Sequence, residues 1–319
     1  MPKKRGLKFY LSIYRKILTQ DLKSKMSYRA DFIISTFGMI MTNLAGFVTF
    51  IVLFHNFPTI NGWDLNHMLF LYGFSLVALT PVQCFFDNNW NLRAMVYSGD
   101  FIKYCFRPVN VFFYFMSEVF DVKGLGQLAF GLGTLIYAWT KIGIPVTFIT
   151  IAQAVLFLLT ASLFMIAIMN VAAATCFWIQ GSGYVMVIMF RFKDFAKYPA
   201  SIFNEVFKVI FTFVIPIAFV AYYPSLVLLQ PDNVPLLTWL SPLIGLVFFF
   251  LSYATIQFIH LNVQNHYHNF RTFSLQKKPH TYQQALLISP QTSNPRQPLT
   301  YVLLLWICLL WTFYKNGIM

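Results

Sequence analysis

Asp100, Lys103 and Arg107 fall within eight positions of one another, in the stretch GDFIKYCFRPVN at residues 99–110. Only 10% of the chain is charged, so such a concentration calls for a chemical reason. Lys103 and Arg107 are four apart, a spacing that puts two cations on one helical face, where they can meet carboxylates on a partner. Gly99 permits a tight turn, Asp100 is placed to cap the turn that follows, and Pro108 stiffens the exit. The plainer reading is that the cations only hold this loop on the basic side of a membrane.

Other chemistry is not indicated. No GxxxxGK[ST] loop is present to cradle a nucleotide, no HExxH motif, and no serine nucleophile elbow. His266 and His268 are two apart, the wrong spacing for two ligands on one helical face, and read as solvated tail residues. Cys84, Cys105, Cys176 and Cys308 form no CxxC pair, so they read as small buried hydrophobes rather than a zinc site or disulfide framework. The expectation is therefore no catalytic, metal or cofactor-binding residue.

The elements that must position the charged stretch are apolar. Of 319 residues, 58% are hydrophobic and 19% aromatic, well above a soluble domain, with mean hydropathy +0.63. The net charge of +13 does not point to nucleic acid, because the basic residues sit between apolar runs rather than along a solvated face.

A crossing helix needs about 20 apolar residues. Six stretches meet or approach this: Phe32–Phe54, Met68–Phe86, Gly124–Thr140, Val146 to about Ala172, Phe203–Tyr223 and Leu236–Ile259. The third is short, and its apolar character extends back to the run Val111–Phe120. Between the runs, Lys and Arg alternate: nine in the N-terminal segment, none in 55–67, four in 87–123, one in 141–145, four in 173–208, none in 224–235 and five from His260 onward. That places 22 on one side and one on the other, so both flanks of the body are expected in the cytoplasm. Trp63, Trp90, Trp139, Trp178 and Trp239 fall near the expected span ends, where an indole favours the headgroup layer. The uncharged run Val146–Phe190 has room for one span or two, divided at Gln180-Gly181-Ser182-Gly183. We read one span followed by a segment hugging the cytoplasmic surface.

The basic N-terminal residues lack the unbroken apolar core and cleavage site of a signal peptide. Phe9, Ile13 and Ile17 repeat every four positions with Arg15, Lys16 and Lys23 among or after them, the pattern of an amphipathic helix lying on anionic headgroups. The middles of the six runs carry no charge and show no paired broken helices, which argues against an ion-coupled secondary carrier. Glu118, Asp121 and Lys123, and likewise Glu205 and Lys208, read as locally compensated clusters at the interface.

SGDFIKYCFRPVNVFFYFMSEVFDVKGLGQLAFGLGTLIYA (98–138) resembles the part of ABC-2 type transporter permeases that reads Gly-Asp-x-Asp and then Leu-x-Arg-Pro. YPASIFNEVFKVIFTFVIPIAFVAYYPSLVLL (198–229) is similar to the Tyr-Pro, Phe-x-x-Pro-x-Ala-Phe and Tyr-Pro pattern of the six-span subgroup found beside an ATP-binding subunit, and MSYRADFI (26–33) to its entry into the first span. The resemblance covers about residues 8 to 270. Ile102 stands where the subgroup often has a second Asp, and the chain departs from the pattern at about Asn269, ending in a polar, Pro-rich stretch and 14 apolar residues at 301–314.

The resemblance implies an all-α integral membrane protein with six transmembrane helices. Its parts would be a cytoplasmic N-terminal amphipathic segment (1–31), a transmembrane domain (32–259) and an atypical cytoplasmic tail (260–319). It further implies the permease subunit of an exporter in the cytoplasmic membrane, paired with a second permease and with ATP-binding-cassette ATPase subunits that supply the energy. Gly99, Asp100, Lys103, Arg107 and Pro108 would then lie in the loop that couples to the ATPase. The rival expectations are a secondary carrier and a non-transporting membrane scaffold.

Overall fold

The computed structural model describes residues 6–276, apart from 28, 106, 108, 180, 181, 232 and 233. The expectations for Pro108 and for the apolar stretch 301–314 therefore lie outside the described residues. Among the described residues the chain is helical and forms no strand beyond one isolated bridge between Ile60 and Trp63.

The centre of the bundle is α3 (Leu65–Phe85). Asp64 starts it: its Oδ1 accepts the His67 backbone N–H at 2.8 Å, satisfying an otherwise orphaned donor. The helix is apolar around its whole circumference, the mark of a helix enclosed by others. Phe70, Phe74 and Leu71 have no exposed surface, and Tyr72 is buried. These side chains belong to the core.

Helix α7 (Lys123–Ile142) packs antiparallel against α3. Close approach is set by glycine. A Cβ on Gly73 would stand 2.6 Å from the Leu135 backbone nitrogen, and one on Gly131 would stand 2.8 Å from Leu76 Cβ. Small residues let backbones meet, which matters where lipid is as apolar as the side chains and gives no hydrophobic drive to associate. The Gln127 amide Nε2 adds a bond to the Leu76 carbonyl at 3.1 Å.

Helix α2 (Arg29–Asn56) lies outside this pair, held by a bond from the Tyr72 hydroxyl to the Asn43 carbonyl at 2.7 Å. Its other faces expose Ile33, Ile34, Phe37, Val48 and Val52, as expected of a helix bathed in lipid. Helix α8 (Phe148–Ala174) opens with a reciprocal cap between Thr147 and Thr150. It runs parallel to α12 (Leu236–Gln276), meeting it at Thr160–Gly245 and Phe164–Phe248. Helix α12 continues well past Ile259, so the segment expected as tail begins inside a helix.

Four helical stretches among the described residues are long and apolar enough to cross a membrane: Phe32–Asn56, Leu65–Ser98, Phe148–Phe177 and Leu236–Gln257. The α7 helix spans 20 residues, matching the expected third stretch, while the apolar run before it forms a separate short helix, α6 (Val111–Ser117).

The expected fifth stretch, Phe203–Tyr223, is not one helix. It consists of α10 (Glu205–Val209), a π turn at Ile210–Val214, a break at Ile215-Pro216, a 3₁₀ turn at Ile217–Phe219 and then α11 (Tyr222–Leu229). Pro216 has no N–H to continue the ladder.

Instead, residues 182–202 pack along the bundle, the helix at their start against α8 and the chain after α3, and the 3₁₀ turn that follows against α3 itself. They begin with α9 (Ser182–Phe192), continue as a 3₁₀ turn at Lys193–Lys197 and end at Ile202. Gly183 touches Arg93 beyond one end of α3. Lys193 shares a cavity with Leu79 and Gln83, Tyr198 packs on Phe50 with ring centroids 5.6 Å apart, and the Trp63 indole bonds Ser201 at the other end. The segment thus reaches from Arg93 to Trp63. Tyr198 and Pro199 are extended, and a second 3₁₀ turn at Ala200–Ile202 brings the chain to Trp63.

The N-terminal helix α1 (Leu7–Ser27) docks on its own chain. Tyr10 meets Phe113 edge-on at 4.9 Å, and Lys25 Nζ donates to the Phe120 carbonyl at 2.5 Å and to Asp21 at 2.7 Å. Ile13 and Ile17 are half-buried. Phe9 is not: Tyr10 takes its place and Phe9 is exposed.

Candidate coupling site

Beyond α3 the chain turns at Phe86–Asn88 and continues as α4 (Asn89–Ser98). Gly99 ends that helix with φ 79°, a left-handed conformation that side chains resist, so the expected tight turn is present. One short turn follows, α5 (Ile102–Cys105), and then α6.

Phe101 and Tyr104 fasten this turn to the protein. Both are buried, and they pack on each other and on Phe115, with Phe101 also meeting Phe177. Between and beside these anchors, Ser98, Gly99, Asp100, Lys103 and Arg107 are exposed. The three charges thus form a ridge above an aromatic base.

Their local partners differ from the sequence expectation. Asp100 does not cap the next turn; it accepts a hydrogen bond from Ser98 Oγ at 2.6 Å and so tightens the turn on the preceding side. Lys103 pairs with Glu118 at 3.0 Å, and the same carboxylate accepts a bond from the Tyr104 hydroxyl. Arg107 lies over the Tyr114 ring, 4.4 Å from its centre. Because α5 stops at Cys105, Lys103 and Arg107 do not share a helical face. The residue before a proline avoids the α region, and Arg107 precedes Pro108.

The ridge is tied to the bundle by polar side chains, of which Asn88 is fully buried. Asn88 Nδ2 donates to the Phe115 carbonyl at 2.7 Å. Asn110 caps α6 through Phe113 N–H at 3.0 Å, accepts from Gln257 at 3.2 Å and donates to the Tyr253 hydroxyl at 3.3 Å, joining α6 to α12. Asp21 accepts the Phe120 N–H at 3.2 Å, joining α1 to the chain after α6. These bonds join α6 and the chain around it to α1 and α12.

Sequence reasoning named the exposed residues, grouped Glu118 with Lys123 where the structure pairs it with Lys103, and missed Phe101, Tyr104, Asn88 and Asn110, which position them. The spacing of Phe101 and Tyr104, three apart with charges between, was the available signal for an inward-facing stripe.

An all-helical bundle with several helices long and apolar enough to cross a membrane defines the class: a multi-pass membrane protein. A family model described as ABC-2 family transporter protein matches residues 39–259, more than half of the chain. The chain belongs to the ABC-2 transporter family, whose members are transmembrane permease components of ABC transporters. No curated protein and no solved structure matches it.

Proposed function

We propose that this chain is the permease subunit of an ATP-driven exporter, and that the ridge formed by Asp100, Lys103 and Arg107 docks an ATP-binding subunit. The observation that carries this reading is the ridge itself: exposed charges on a buried aromatic base, linked by amide side chains to α3 and α12. Gly99 and Pro108 would set its entry and exit. ATP-driven closure of the partner subunits would press on the ridge and rock the helices between two access states. A second permease, a copy or a relative, would complete the assembly in the cytoplasmic membrane.

Six crossings fit the packing: α2, α3, α7, α8, the segment 182–202 and α12. Residues 203–229 then form a pair of short helices dipping back from the outer side. With this assignment, cytoplasmic segments hold nine, four and five Lys and Arg, eighteen together, against Lys141 and Lys208 outside. The bias still favours cytoplasmic termini, with α1 lying along the inner headgroups.

Arg107→Glu tests the docking. Breaking a buried charge pair at an interface costs about 2–5 kcal/mol, less at a rim. The variant is expected to insert normally and to lose the ATP-binding subunit on purification, together with stimulation of its hydrolysis. Full retention of both would leave these cations as orientation signals alone.

A further inference from the structure

The segment 182–202 carries charge where its neighbours carry none. Arg191, Lys193, Asp194 and Lys197 lie along its middle. Lys193 lines a cavity with Leu79, and Lys197 stands 6.0 Å from the Tyr72 ring centre. Along α3 those levels are about 21 Å and about 10 Å from its first residue, in a helix about 30 Å long. Lys193 and Lys197 therefore lie alongside α3, Lys193 toward its Phe85 end.

Charge at that depth is expensive in contact with lipid, and side chains that carry it face a protein interior or a water-filled path. The backbone points the same way. At Lys193–Lys197 the α-helix gives way to a 3₁₀ turn, and irregular backbone at membrane depth survives only where it is buried or lines a cavity.

The local charges are incompletely matched. Lys193 pairs with Asp194 at 3.2 Å and lies over the Phe190 ring at 4.3 Å. Lys197 has ring neighbours, Tyr72 and Tyr198, but no carboxylate oxygen within 4 Å among the described residues. The cavity beside Lys193, about 110 Å³, is also walled by Gln83, Asp87, Asn89 and Gln127. Asn89 is 3% exposed and bonds Asn170 at 2.8 Å, yet its Oδ1 and the Nδ2 of Asn170 have no hydrogen-bond partner. Unpaired amide atoms in such a place are satisfied by water or by a ligand. On the outward face of the same segment, Val187, Ile188 and Phe195 are exposed around the charges.

We infer that Lys193 and Lys197 form an anion-binding site inside the crossing, recognising the phosphate or carboxylate of an amphiphilic cargo whose apolar part lies along Val187, Ile188 and Phe195. The inference rests on the transport reading and supplies its substrate class. Lys197, with no carboxylate oxygen within 4 Å among the described residues, supplies the charge an anion meets first, and Lys193 can turn to it from Asp194. The apolar residues on either side suit a chain attached to the anion. The unpaired amide atoms of Asn89 and Asn170 lie beside the same cavity.

The test uses the purified full chain in a neutral maltoside detergent, with thermal unfolding followed against dodecyl phosphate, inorganic phosphate and dodecyl glucoside. Saturable stabilisation by dodecyl phosphate is expected, with apparent affinity about tenfold weaker in Lys197→Gln and in Lys193→Gln, as for loss of a charge-assisted bond. Lys197→Arg should retain binding, and Lys208→Gln, outside the segment, should match the unsubstituted chain; these two keep a folding defect from passing for a binding defect. Equal stabilisation by inorganic phosphate supports the anion site and makes the free anion its ligand. Equal stabilisation by dodecyl glucoside overturns the inference, as do glutamine variants that bind dodecyl phosphate normally. Glutamine variants that lose self-association while binding unchanged assign the charges to a subunit contact and overturn it too. No ATP-binding subunit is needed, so failure here leaves the permease reading to the Arg107→Glu experiment.

Discussion

The Trp63 indole N–H donates to Ser201 Oγ at 3.0 Å, across 138 positions of chain. This bond joins the loop ahead of α3 to the end of the segment that runs beside α3, and Trp63 also packs on Tyr222 with ring centroids 6.1 Å apart. The start of α3, Ser201 and the start of α11 therefore stand together at one end of the bundle, while Arg93 and Gly183 mark the other.

That grouping predicts sidedness. Cysteine placed at Asn61 or at Glu205, labelled with a membrane-impermeant maleimide in intact cells, should react above the unsubstituted chain, whereas Ser98→Cys should not. Reaction at Asn61 without reaction at Glu205 would return residues 203–223 to a crossing and 182–202 to the inner surface.

Helix contact through glycine predicts an asymmetric response along α7. Gly131→Ala drives a Cβ against Leu76 and Val77, and overpacking of this kind costs about 1–3 kcal/mol. A Cβ on Gly133, two residues on, would meet nothing within 4 Å, and Gly133→Ala should be neutral or stabilise by about 0.4–1 kcal/mol. Unfolding in detergent separates the two; equal effects would remove glycine contact as the basis of α3–α7 packing.

At the ridge, the two partners of Glu118 predict different outcomes. Lys103→Ala removes an exposed ion pair and should change stability by less than about 1 kcal/mol. Glu118→Ala takes the acceptor from the fully buried Tyr104 and should cost about 1–3 kcal/mol. Denaturation midpoints for the two variants decide this, and a larger loss from Lys103→Ala would reverse the ranking.

Asp64 predicts an acid dependence. Partial burial works to raise its carboxyl, but the His67 backbone amide and ring together outweigh that and hold it below the usual carboxylate range. A carboxyl lowered in the folded state contributes stability that is present above its unfolded value, about 3.9, and lost as pH falls through the folded value. Asp64→Asn keeps the cap but should flatten the fall in unfolding temperature below about pH 4. An unchanged acid profile in that variant would show that other carboxylates govern it.

Reading along the chain is enough to establish the membrane character, the positions of α2, α3, α7, α8 and α12, the turn at Gly99 and the exposure of Asp100, Lys103 and Arg107. Those features follow from local rules: apolar length, capping residues and the left-handed freedom of glycine. Which remaining segment runs beside α3 is settled only by folding. Residues 203–223 are apolar enough to suggest a span, but Pro216 interrupts them, and apolar length alone does not report a break. Residues 182–202 look unsuited because Arg191, Lys193 and Lys197 interrupt the hydropathy. Tyr72, Tyr198, Asp194 and a polar cavity accommodate Lys193 and Lys197, and several of those neighbours come from distant parts of the chain, which no linear reading brings together. The same holds for Lys103, whose spacing suggests a free cation until folding sets Glu118, fifteen positions away, beside it.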